Sequence, residues 1–203
     1  MTKPPEFDVA FQAKLAELFA WRRDVRRFRT DPVDPALIAR LRAAADFAPS
    51  VGDSRPWRWI EADADQRAKI RSNFERANAD ALASYEGERA RLYATLKLAG
   101  LDNAPVQFAV FCDRATARGH GLGKATMPQT LEYSVVGQIM LFWLAARAAG
   151  VGVGWLSILD PVEARLDMGA PADWALVAYL CVGWPEEEHL DPELVRAGWV
   201  GTR

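Results

Sequence analysis

Five arginines and one aspartate fall within eight residues, at Arg22, Arg23, Asp24, Arg26, Arg27 and Arg29, with Phe28 among them. Guanidiniums at such spacing repel one another unless an anion lies between them. The planar fork of arginine also grips phosphate through two hydrogen bonds. One reading is therefore an anion site. The other is a solvated basic helix end, where arginines complement the helix macrodipole. Asp24 adds a second question. A carboxylate among cations keeps its charge, and it either braces the arginines or acts on what they bind.

The remaining reactive residue types are sparse. The two histidines, His120 and His189, have no metal-ligand spacing around them, so no metal is expected. Cys112 in VQFAVFCD and Cys181 in ALVAYLCVGW sit in apolar runs without a CxxC partner and read as core. Oxidative chemistry in this chain would need an organic cofactor. GHGLG (119–123) lacks the glycine spacing and the strand-to-helix setting of a dinucleotide fold, and reads as a loop or lid. A net charge of -2 argues against general nucleic-acid binding and makes the basic cluster a local site. The N-terminal MTKPPEFDVAF has no apolar signal core, and the expectation is a soluble, cytoplasmic protein with no membrane partner.

Alternating helices and strands must carry the cluster. Phe11, Leu15, Leu18 and Phe19 share one helical face, and that helix runs into the arginines. Asp34-Pro35 is a cap and first turn, opening a helix with Leu37, Ile38 and Leu41. APSVGDSRPW (48–57) is a turn-rich loop before a short strand near 58–61. Residues 65–99 are two helices or one broken near Gly87. VQFAVFCD is a strand. Residues 130–149 form a helix apolar nearly all round, which belongs in a core or against a partner. VGVGWLSIL is a strand, Asp160-Pro161 caps a short helix, and ALVAYLCVGW is the last strand. The polar tail has Leu190, Leu194 and Trp199 as anchors. No linker or repeat divides the chain, so 1–203 reads as one α+β domain, dimeric by its apolar helix and tail.

RRDVRRF (22–28), APSVGDSRPW (48–57) and GVGVGWLSILDP (150–161) follow the order of the nitroreductase-like flavoprotein superfamily, which the chain resembles over nearly its whole length. GERARLYATLKLAGL (87–101), TMPQTLEYSVVGQI (126–139) and LVAYLCVGWPEE (176–187) add to the resemblance. It implies a nitroreductase-like α+β fold: a central mixed, mainly antiparallel sheet flanked by helices, in a domain-swapped homodimer with FMN at the subunit interface. Within the superfamily the chain is most similar to a branch that fragments reduced FMN with molecular oxygen. The products there are 5,6-dimethylbenzimidazole, the lower ligand of vitamin B12, and a four-carbon sugar phosphate. FMN is then both cofactor and substrate, and a separate NAD(P)H flavin reductase supplies it reduced.

The resemblance also implies roles. Arg22, Arg23 and Arg26, with Val25 between them, would grip the FMN phosphate and ribityl chain, while Arg27 and Arg29 face solvent or a carboxylate. Ser50, Gly52 and Ser54 would approach the flavin from the second subunit. Ordinary nitroreductases usually carry serine where this chain has Asp24, so Asp24 is expected to take protons beside the ribityl chain. Ser157 would hydrogen-bond the flavin ring and help pass protons, with Trp155 beside it. Gly152 and Gly154 would let the backbone approach a flat ring. Leu101 would close over the flavin, and Arg203 or Arg196 would add a cation for the phosphate. Asp53 and Arg55 stand where leucine and glutamine are expected, and read as a local ion pair. Other readings are an NAD(P)H-dependent FMN nitroreductase, a non-enzymatic flavin-binding protein, and a flavin-free anion-binding module.

Overall fold

Four strands form one sheet in the order β1-β2-β4-β3: β1 (Trp57–Glu61), β2 (Val106–Asp113), β3 (Gly152–Leu156) and β4 (Trp174–Gly183). The structure is a computed structural model and describes residues 3–95 and 100–200. Each neighbouring pair of strands is antiparallel. The mixed sheet expected from the resemblance is thus antiparallel among the described strands. Its parallel component is an isolated bridge between Asp24 and Val153 at the free edge of β3.

The two central strands are apolar on both faces, and their side chains alternate between two cores. Phe108, Val110 and Cys112 of β2 join Ala178, Leu180 and Val182 of β4 on one face. Ala109 and Phe111 join Tyr179 and Cys181 on the other. Helices cover both faces. α1 (Val9–Trp21) is followed by α2 (Pro35–Ala45), which Asp34 caps through the Ala36 amide. α3 (Ala64–Ala83) opens on a capping box of Asp63 and Gln66. α4 (Gly87–Thr95) and the single turn α5 (Gly100–Asn103) follow. α6 (Thr130–Ala148), α7 (Pro161–Asp167) and the short α8 (Glu193–Arg196) complete the chain. α2 and α6 pack on the first core; α3 and α7 pack on the second.

Two helices are left partly uncovered. α1 buries no residue at all, and Phe11 and Phe19 are 46% and 50% exposed. α6 buries Leu131, Val135, Ile139, Phe142 and Ala146 on one face but leaves Tyr133 and Val136 open. No helix among the described residues is long and apolar enough to cross a membrane.

Buried polar side chains fix the loops near the sheet's end. Gln107, 1% exposed, accepts from the Tyr179 hydroxyl at 2.8 Å and donates to the Leu101 carbonyl at 3.1 Å. Asn73 exchanges two hydrogen bonds with the backbone of Asp160, at 3.0 and 2.8 Å, and so pins the segment that leaves β3. These bonds satisfy groups whose burial would otherwise be costly, and they tie α5 and the 157–160 segment to the frame.

Candidate functional site

The arginine-rich segment is an extended ribbon laid on the edge of the sheet, which removes the helix-end reading. α1 stops at Trp21, and the chain then runs along β3. The Val25 amide donates to the Val153 carbonyl at 3.0 Å, and the Arg29 amide to the Trp184 carbonyl at 2.9 Å. Phe28 anchors the ribbon. Its ring is fully buried, and a Cβ added at Gly100 or Gly183 would come within 3.0 or 3.3 Å of it.

The glycines of GVGVGW serve this ribbon. A Cβ on Gly154 would lie 2.2 Å from the Val25 carbonyl oxygen, and one on Gly152 would lie 2.9 Å from a Val25 methyl. The close backbone approach expected for a flat ring is taken by the chain itself. The correction has a plain cause: a bare strand edge accepts whichever backbone arrives first.

Asp24 projects from the ribbon where it crosses β3. Its Oδ1 accepts the Trp155 amide at 2.8 Å. Its Oδ2 lies 3.6 Å from Arg26 Nε. The side chain retains 38% of its surface yet is crowded by protein atoms, so it is on the floor of a cleft rather than on a convex surface. This crowding raises the carboxyl above its ordinary range. The Trp155 amide and Arg26 pull the other way, while nearby Glu193 adds to the rise. The result is a carboxylate with enhanced proton affinity in spite of its arginine neighbours.

The arginines divide by partner. The Arg22 guanidinium stacks over the Trp143 ring, 5.0 Å from its centroid. Arg23 Nε donates to the Leu190 carbonyl at 2.6 Å and binds the C-terminal segment. Arg27 pairs with Glu187 and lies 3.4 Å from Glu193, and Arg29 pairs with Asp31 at 2.8 Å; both face carboxylates. Arg26 differs. Its side chain is 14% exposed, and its Nε is buried without a hydrogen bond, 3.6 Å from Asp24 and 3.5 Å from Glu193. A buried donor between two acids, bonded to neither, fits a group that brings its own acceptor oxygens.

Three clefts meet at Asp24 and Arg26. The first, about 560 Å³ to its open mouth, is bounded by Trp143 and by arginines, among them Arg23, Arg27, Arg147 and Arg196, interleaved with the acids Glu187, Glu188, Asp191 and Glu193. The second, about 270 Å³, is almost wholly apolar and holds Leu101, Gly154, Trp155 and Cys181. The third, about 630 Å³, holds Ser157, Trp155, Asn78, Tyr93 and Trp199. A compartment of interleaved arginines and acids, a dry one and a polar aromatic one thus share a carboxylate at their junction. That arrangement suits a long ligand with an anionic end, a hydroxylated middle and a flat ring. FMN has those three parts.

Arg22, Arg23, Asp24, Val25, Arg26, Leu101, Trp155 and Ser157 come together at or beside these clefts. Ser157 lies just beyond β3, exposed, and its hydroxyl makes no hydrogen bond within the described chain. Ser50, Gly52 and Ser54 line none of the three clefts. Ser50 Oγ accepts the Arg55 amide at 3.0 Å, Gly52 adopts a φ of 55° against Leu122, and Ser54 is 3% exposed with its Oγ unpartnered. Asp53 and Arg55 form the expected ion pair at 3.0 Å, joined by Arg118 at 2.5 Å. Arg203 lies outside the described residues, whereas Arg196 lines the first cleft.

Sequence reasoning missed Glu187, Glu193, Asn78 and Tyr93. For Glu187 a signal existed: the run Glu186–Glu188 is the charge complement of the arginine run. Asn78 lies in a stretch read only by its helical period, and the 87–101 stretch that holds Tyr93 added to the resemblance without assigning that residue a role.

An extended arginine-rich ribbon clamped to an antiparallel sheet, with helices on both faces and a carboxylate at a three-way cleft, defines the class of α+β protein to which the chain is compared. Residues 19–184 match the Nitroreductase family, and the chain belongs to it. It is 56% identical over 204 residues to the 5,6-dimethylbenzimidazole synthase of Rhodospirillum rubrum, covering 100% of this chain and 97% of the relative. A 5,6-dimethylbenzimidazole synthase of Rhodobacter capsulatus is 52% identical, covering 95% and 94%. Among solved structures, oxidised iodotyrosine deiodinase bound to FMN and 3-iodo-L-tyrosine superposes with a TM-score of 0.73 at 23% identity, covering 86% of this chain and 91% of that one, and shares the fold.

Proposed function

We propose that this protein fragments reduced FMN with molecular oxygen, giving 5,6-dimethylbenzimidazole and a four-carbon sugar phosphate. The observation that carries this reading is Asp24: an acid in the middle of an arginine motif, raised in proton affinity and aimed into the junction of three clefts. As a phosphate ligand it would be unfavourable, because like charges repel. As a proton acceptor beside a ribityl chain it is well matched. The extended identity to synthases of that name supports the same reaction.

Bound reduced flavin supplies the electrons that activate oxygen and is itself consumed. The chain's own share is binding, exclusion of water and proton transfer. Arg26, with Arg22, Arg23 and Arg196, holds the anionic end and the ribityl chain. Val25 carries the ribbon on β3. Trp155 and Leu101 enclose the ring side of a cleft whose apolar lining keeps water out. Asp24 takes protons, and the unbonded Ser157 hydroxyl hands them on.

The working unit is a homodimer with 1–203 as one flavin-binding unit in each copy. The uncovered faces of α1 and α6 support it, as does the absence of Ser50, Gly52 and Ser54 from the lining of the three clefts, which leaves them for a second copy to use. A separate NAD(P)H flavin reductase supplies reduced FMN. The setting is the cytoplasm, which suits two free buried thiols pushed up to about 12 by burial.

The test is flavin recovery. Oxygen admitted to the protein with one equivalent of reduced FMN should restore only part of the oxidised flavin absorbance, because flavin is destroyed. Full recovery, together with rapid NAD(P)H-dependent reduction of nitroaromatics, would instead assign an ordinary nitroreductase.

A further inference from the structure

Several polar groups of the third cleft have no hydrogen-bond partner among the described residues, and one of them, on α4, has no role so far. The Tyr93 hydroxyl is closed to solvent and has no hydrogen-bond partner among the described residues, while the residue lines the cleft that holds Asp24, Arg26 and Ser157. An unpaired buried hydroxyl is costly and seldom left so without a use. The ring also cannot easily turn away. Tyr85 lies tilted against it at 5.0 Å, Trp199 lies 6.2 Å off, and the Tyr85 and Trp199 rings meet edge to face at 5.4 Å. The aromatic trio joins the turn after α3, α4 and the C-terminal segment, and so restrains the ring that carries the hydroxyl. Burial and the Tyr85 neighbour raise the phenol above its ordinary range, so it remains a donor in need of an acceptor. Asn78 of α3 lines the same wall, and its amide makes no hydrogen bond within the described chain.

We infer that Tyr93 is a flavin-binding residue, donating its hydroxyl to an acceptor oxygen or ring nitrogen of the bound flavin across the cleft from Asp24. The inference rests on the flavin reading above. Apo protein carries the hydroxyl unsatisfied, and ligand supplies the missing acceptor. Tyr93 thereby selects for a ligand with an acceptor at that wall and holds it beside the proton-accepting carboxylate. Asn78 supplies a second, adaptable contact there.

Removal of the hydroxyl then has opposite effects on the empty and loaded protein, which a purely structural tyrosine would not show. The experiment compares wild type with Tyr93→Phe by thermal unfolding without ligand and by anaerobic titration with reduced FMN. Ligand-free Tyr93→Phe should melt no lower than wild type, and up to about 2–4 °C higher. Its affinity for reduced FMN should fall roughly tenfold, as expected for one lost hydrogen bond that leaves a flavin acceptor unpaired. An unchanged affinity would overturn the inference. So would a lower melting temperature in the empty protein, which would mean the hydroxyl is already bonded. A wild type that takes up no reduced FMN would overturn the flavin reading and the inference with it.

Discussion

The Trp155 amide donates to Asp24 Oδ1 at 2.8 Å, and this one bond joins β3 to the acid of the arginine ribbon. It orients one carboxylate oxygen toward the strand and leaves the other turned toward Arg26 at 3.6 Å. Arg26 is shared with Glu193 at 3.5 Å, so it does not neutralise Asp24 outright. The acid is therefore fixed in place but still able to accept a proton.

Asp24→Asn tests this separation of geometry from charge. The amide oxygen can still accept from Trp155, so the variant should fold and bind reduced FMN within about threefold of wild type, yet form benzimidazole at least about a hundredfold more slowly, as for loss of a general base. Stability should also respond to pH. Folding raises the Asp24 carboxyl, so its contribution is most favourable below the unfolded value of 3.8 and is lost as pH rises through the folded value. Asp24→Asn should hence melt at or above wild type near pH 7. The gap should close in acid, as followed by thermal unfolding across pH.

Gly154→Ala places a methyl where the Val25 carbonyl already lies, 2.2 Å away, and backbone cannot yield as a side chain can. A loss of about 3 kcal/mol is expected. Gly152→Ala meets a Val25 methyl at 2.9 Å and should cost only about 1 kcal/mol. Denaturant titration should order the two this way, and Gly154→Ala should also lose FMN binding, because the ribbon must lift from β3.

Phe28→Ala should cost about 4 kcal/mol, since the ring is fully buried and its site is walled by Gly100 and Gly183. Flavin binding should weaken further than in a variant of equal stability altered elsewhere in the core. Equal weakening would mean that Phe28 is ordinary core and no anchor.

Glu187 links the arginine ribbon to the C-terminal segment. His189 and Arg27 hold its carboxyl at about 2, below its usual 4.5. A depressed acid stabilises above its unfolded value, and that contribution fades as pH falls from 4.5 through 2. Proteolytic or hydrogen-exchange protection of residues 186–196 should exceed that of Glu187→Gln near neutrality, and the difference should vanish toward pH 2. The pair is partly exposed, so global stability should change little.

Local signals made much of the frame legible. Asp34-Pro35 and Asp160-Pro161 cap α2 and α7 as read, and the two-sided apolar runs became β2 and β4. Asp24 stood out as a lone acid among arginines, but its catalytic role, like Leu101, Trp155 and Ser157, was legible only through resemblance, because contacts between residue 24 and residue 155 leave no trace in periodicity. The role of Gly152 and Gly154 was misread because a bare glycine records closeness without naming what comes close. Tyr93 and the 187–193 acids stayed hidden because their meaning lies in partners far along the chain.

The most direct test of the central claim is product analysis by mass spectrometry after oxygen is admitted to wild type and to Asp24→Asn, each loaded with reduced FMN. The account predicts 5,6-dimethylbenzimidazole from wild type, well above a protein-free control, and close to that control from Asp24→Asn. Reoxidised FMN and peroxide as the sole products of wild type would contradict it.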